Sequence, residues 1–303
     1  MQAAGAEIAY GCDLSCRSFI AAHSSKSSPL VTATLESILT TDKTGQGEPV
    51  TWARRDGVGI IELSKPERFN CLSKAMFRLM AQALNEFEKD AAIGAVLVTG
   101  QGKNFCTGAE LDEVETVSQK ADDLKDFLEV GHGVLCQFEA SPLPVVAAVQ
   151  GLCLAGGLEL AMACDVVFAA DTARFGDQHA AFGLIPGWGN SQRLPRAIGL
   201  QRALDLMFSA KWIDAATALD WGLIAYSVPA GDLADKALEF AALVATRSRS
   251  GIAAMKALSR RALEADLQTG LHEEIAVATR TLVGADAKEG LAAFKERRKP
   301  SFR

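Results

Sequence analysis

Four short apolar runs, set apart by stretches of helical periodicity, limit what this chain can fold into. They are residues 58–63 (VGIIEL), 95–99 (AVLVT), 145–149 (VVAAV, opened by Pro144) and 166–170 (VVFAA). Between the first two, Ser73 caps a helix expected to reach Lys89, with Met76, Leu79, Met80, Ala83, Leu84 and Phe87 on one stripe. Residues 124–138 repeat the helical pattern. Short apolar strands alternating with helices imply an α/β fold with a layered β-sheet core. After Asn190 the chain reads almost wholly helical, punctuated by Asp214, Gly222 and Pro229. The expected plan is an α/β core over 51–250 followed by a helical C-terminal region over 251–303.

Composition then narrows the function classes. Half of the 303 residues are apolar and 22% are charged, as in a globular protein. A formal net charge of −6 argues against a nucleic-acid partner, whose binding surfaces are basic. Seven cysteines without a disulfide-like spacing suit a reducing compartment, and the cytoplasm is the expected location. No run approaches the ~18 apolar residues of a membrane-spanning helix, so no membrane partner is expected. Residues 1–50 are rich in Ser, Thr, Ala and Gly and lack periodicity. They resemble neither a secretory signal nor an arginine-rich transit peptide and read as a poorly ordered extension.

Familiar chemical signatures are missing. There is no GxGxxG after a strand, no GxxxxGK[ST] and no GxSxG. His272–Glu273 begins an HExxH string, but position 276 is Ala, so no zinc site is expected. What remains is a pair of glycine-containing segments, each after an apolar strand: 104–110 (NFCTGAE) and 151–159 (GLCLAGGLE). Small residues let a backbone approach a ligand closely, and a helix start offers unpaired N–H groups. One N–H from each segment would form an oxyanion hole. Taken singly, either segment reads first as a tight strand-to-helix turn; two together, each at the end of a strand, point to a site.

The run AAVQGLCLAGGLELAMACDVVFAA resembles the signature of the enoyl-CoA hydratase/isomerase family, the crotonase superfamily. NFCTGAEL, SKPERFNCLS, FGDQHAAFGLIPGWGNSQRLPRAIG and DAKEGLAAFKERRKPSFR resemble further family segments, in order, to the C-terminus. The resemblance implies the crotonase (ClpP/crotonase-like) fold, an acyl-CoA thioester substrate, an enolate intermediate and a homotrimer or dimer of trimers. Coenzyme A is then part of the substrate, and no metal or other cofactor is implied.

Carried over residue by residue, the resemblance places oxyanion donors at Thr107 and Gly156 and a catalytic carboxylate at Glu159. Hydratases of the family carry a second Glu in an FGxPE-like string. Here the string is FGDQH, and His179 stands in that place. Imidazole can give or take a proton near neutral pH. The expected reaction is hydration of a 2-enoyl-CoA to a 3-hydroxyacyl-CoA, as in fatty acid metabolism. Isomerisation, decarboxylation or carbon–carbon hydrolysis through His179, and non-catalytic acyl-CoA binding, are the alternatives. The loop 186–190 (PGWGN) carries no acid, which disfavours the dienoyl-isomerase and dehalogenase patterns. Lys65, Arg68, Phe294 and Arg297 are the expected CoA contacts. Trp188 reads first as aromatic packing, and Asp165 and Arg193 as structural.

Overall fold

The computed structural model describes residues 44–302, so residues 1–43 of the expected extension lie outside the described residues. In chain order the strands are β1 (Val50–Arg55), β2 (Val58–Leu63), β3 (Ala95–Gly100), β4 (Val145–Val149), β5 (Leu152–Leu154), β6 (Val166–Ala170), β7 (Arg174–Gly176), β8 (Ile213–Asp214) and β9 (Tyr226–Val228). The first four helices among the described residues are α1 (Lys74–Lys89), α2 (Leu111–Val117), α3 (Ala121–Ala140) and α4 (Gly156–Ala163). They are followed by α5 (Asn190–Ile198), α6 (Leu200–Ser209), α7 (Ala215–Asp220) and α8 (Leu233–Ala245). The chain ends with α9 (Arg249–Arg261), α10 (Leu267–Leu282) and α11 (Ala285–Lys295).

Six strands form the main sheet in the order β1-β2-β3-β4-β6-β9, parallel except for the β1–β2 hairpin. Central strands β3 and β4 are buried at every position, which is why their sequences are continuous apolar runs rather than alternating ones. The cap expected at Ser73 is present: its side chain accepts the Met76 N–H at 3.2 Å. Met76, Phe77, Met80, Ala83, Leu84 and Phe87 of α1 are buried as one stripe. Leu79 is only partly buried at its margin. A second sheet, β5-β7-β8, stands beside the main one.

Two strands lie where helix alone was expected. β9 adds to the edge of the main sheet through Phe168↔Tyr226, and β8 pairs with β7. Strands of two or three residues carry no period from which a sequence reading can recover them. The C-terminal helices contrast with the core: none of α9 and α10 and only Ala293 of α11 is buried. Among the described residues no helix is long and apolar enough to cross a membrane.

Candidate active site

The two glycine segments meet. Residues 104–106 run beside β5, with Phe105 N–H to Gln150 O at 2.8 Å, Cys106 N–H to Leu152 O at 3.1 Å and Leu154 N–H to Cys106 O at 3.0 Å. Buried Asn70 ties the preceding turn to the same place, donating to the carbonyls of Gln101 at 3.0 Å and Asn104 at 2.8 Å. The closeness of this packing explains the glycines. A Cβ on Gly157 would stand 2.1 Å from the Cys106 carbonyl oxygen, and one on Gly108, at φ +123°, would press on Ala155 at 3.1 Å. Ala155, just before α4, adopts φ 46° and ψ −117°. Such a conformation costs about 1–3 kcal/mol in a residue other than glycine, and here it lies at the wall of a cleft.

That cleft has a volume of about 370 Å³ and is mostly apolar, with Phe69, Leu111, Leu154 and Trp212 among its walls, a size and character suited to a small ligand. Thr107, Ala109, Ala155 and His179 also line it. The expected oxyanion donors need one correction. The N–H of Thr107 is already bonded to the Phe69 carbonyl at 3.2 Å, and its hydroxyl meets Cys71 Sγ at 3.3 Å. Two residues on, Leu72 N–H bonds Gly108 O and Glu110 N–H bonds Leu72 O, which leaves the Ala109 N–H facing away from this ladder. Among the described residues no hydrogen bond uses the N–H of Ala109 or of Gly156. The open pair is therefore Ala109 with Gly156, not Thr107 with Gly156.

Glu159 lies in the first turn of α4 and is fully buried. Its Oε1 accepts the backbone N–H groups of Trp188 at 2.8 Å and Asn190 at 2.9 Å. Its Oε2 has no hydrogen-bond partner among the described residues and points to His179 Nε2 at 3.9 Å. His179 Nδ1 pairs with Asp177 Oδ1 at 3.0 Å. Burial pushes the Glu159 carboxyl above its ordinary value, against the pull of the two N–H donors and of His179. For His179, burial opposes the charged form, but the hydrogen bond and charge of Asp177, with the charge of Glu159, outweigh it and raise the pKa. Asp177 and Asn190, both buried, were not singled out by the sequence reading.

Other expectations separate. Trp188 packs between Phe77 and Phe127, with ring centroids 4.7 and 5.4 Å away. Arg193 is held by both carboxylate oxygens of Glu139, and Asp165 by Lys256 and Arg260. Arg68 pairs with Glu110 and Asp112 beside the cleft, so its charge is already matched. Lys65 shapes the turn before Phe69 through its backbone, with its N–H on Asn70 Oδ1 at 2.9 Å. Phe294 is 82% exposed and Arg297 is also exposed; neither lines the cleft of its own chain.

A family model described as enoyl-CoA hydratase/isomerase matches residues 53–303. The chain belongs to this family. A Mycobacterium leprae protein named "Probable enoyl-CoA hydratase echA8" is 40% identical over 246 residues, covering 81% of this chain and 94% of that one. The mitochondrial enoyl-CoA hydratase of Pongo abelii is 34% identical over 250 residues, covering 82% and 85%. The crystal structure of an enoyl-CoA hydratase from Bacillus anthracis superposes with a TM-score of 0.81 at 32% identity, covering 84% of this chain and 99% of that one. The fold is thus that of the crotonase-type enoyl-CoA hydratases.

Proposed function

We propose that the protein hydrates a 2-enoyl-CoA to a 3-hydroxyacyl-CoA. The observation that carries this reading is the placement of two unpaired N–H groups, Ala109 and Gly156, by an apolar cleft whose wall holds His179 with Glu159 behind it. A thioester oxygen received by those two N–H groups would be stabilised as negative charge develops on it, an effect worth roughly 3–4 kcal/mol per donor. In this reading the Glu159–His179 pair starts with one shared proton, carried on His179 Nε2, 3.9 Å from Glu159 Oε2. Glu159 takes a proton from the attacking water as its oxygen bonds to C3. The enolate collapses as His179 Nε2 delivers a proton to C2. Proton transfer from Glu159 to His179 then restores the starting state, so water is the only reagent consumed.

This chemistry calls for no redox step and no cofactor other than the CoA of the substrate. We read the exposed apolar side chains of the C-terminal helices, such as Leu271, Ile275 and Leu291, as the basis of a homotrimer or dimer of trimers. Phe294 and Arg297 would then reach a CoA bound to a neighbouring copy. A cytoplasmic place in acyl-CoA or fatty acid metabolism fits the seven cysteines. The test is direct: mix the protein with crotonyl-CoA, follow loss of the enoyl-thioester absorbance, and identify 3-hydroxybutyryl-CoA by mass spectrometry. Rapid hydration is expected. Binding without turnover would overturn this reading and move the search to β-keto and malonyl-type thioesters.

A further inference from the structure

The polar contacts of His179 belong to one nearly closed circuit. Asp177, 1% exposed, lies two residues before it. Its Oδ1 accepts the His179 backbone N–H at 3.1 Å and meets the ring Nδ1 at 3.0 Å, and its Oδ2 accepts from Asn190 Nδ2. Both oxygens of Asp177 thus already accept N–H donors, from the His179 backbone and from Asn190, which makes Nδ1–H the donor in the ring contact. The neutral ring then has its lone pair on Nε2, the atom 3.9 Å from Glu159 Oε2. Asn190 joins the far ends: its side chain holds Asp177 while its backbone N–H holds Glu159 Oε1 at 2.9 Å. A carboxylate needed only to shape the turn at 176–179 would be satisfied by the His179 backbone N–H. The ring contact goes beyond that need.

We propose that Asp177, clamped by Asn190, is a positioning residue that fixes His179 with Nδ1 protonated and Nε2 turned to Glu159. The acid–base unit is then Asp177–His179–Glu159 rather than a pair. This inference rests on the proton-transfer role given to His179 above. It also gives a reason why a histidine can stand where the family's second glutamate is expected: the carboxylate two residues earlier fixes its tautomer and supports its charged form.

The experiment combines ¹⁵N NMR of histidine-labelled protein with the kinetics of Asp177→Asn. His179→Gln identifies the His179 signals among the four histidines of the chain. In the unaltered protein, above the His179 pKa, the Nδ1–H tautomer is expected. In Asp177→Asn the ring should shift toward Nε2–H, and kcat on crotonyl-CoA should fall about 10–100-fold, as for other partners that orient a functional histidine. KM should stay nearly constant. The charged groups facing His179 are Asp177 and Glu159, so removing the first should move the His179 limb of the pH–rate profile to lower pH. An Nε2–H tautomer in the unaltered protein, or an unmoved limb and tautomer in Asp177→Asn, would overturn the inference. If Asp177→Asn does not fold, the tautomer of the unaltered protein decides alone. Full turnover in His179→Gln would instead defeat the acid–base role of His179 itself.

Discussion

Helices α4 and α11 both carry residues marked for function, and they stand in opposite surroundings. On α4, Glu159 is fully buried, with one oxygen held by two backbone N–H groups. On α11, Phe294 is 82% exposed and only Ala293 is buried. Under the proposed mechanism the difference follows from what each group has to do. A group that moves protons needs a fixed position and a shifted pKa, which only desolvation and rigid partners supply. A group that touches a large, flexible ligand needs only to be reachable.

Glu159→Gln should break the chemistry and spare binding, lowering kcat about 10²–10⁴-fold while a CoA ester still protects the protein from heat. Near-normal turnover in this variant would erase the contrast between the helices. Phe294→Ala and Arg297→Ala should do the reverse, raising KM for the CoA ester with kcat unchanged. Their effect on unfolding free energy should stay within about 0.5 kcal/mol, as for exposed positions generally. A kcat loss from either would place this C-terminal end in the chemistry.

The smallest expected effect concerns pH and stability. The folded-state pKa of Glu159 lies above its ordinary value of 4.5. Its contribution to stability is therefore complete below about that pH and is lost as pH rises through the folded-state value. Glu159→Gln carries no such charge, so its melting temperature should gain on that of the unaltered protein from pH 4.5 upward. Parallel melting curves across this range would mean that the buried carboxyl keeps an ordinary pKa.

The sequence made some parts of this site plain and hid others for specific reasons. Strands β3, β4 and β6 were legible because burial on both faces requires unbroken apolar runs. Helix α1 was legible because one buried stripe and a capping serine mark it. Glu159 and His179 could be placed because the segments around them resemble those of the family. The donor N–H could not, because Thr107 and Ala109 lie on one short loop and the ladder with Phe69 and Leu72 decides which of them is spent. Asp177 was not singled out, because only the fold brings Asn190 against it.

By itself, then, the amino-acid order determined the layered α/β plan, the close-packed glycine turns and the types of group available for chemistry. These are local properties, set by side-chain period and by the steric freedom of glycine. Only the tertiary structure decided which backbone N–H groups stay unpaired, which oxygen of Glu159 faces His179, and which carboxylate holds the imidazole. Each depends on atoms from segments tens of residues apart, and hydrogen-bond partners chosen at that range leave no periodic trace in the chain.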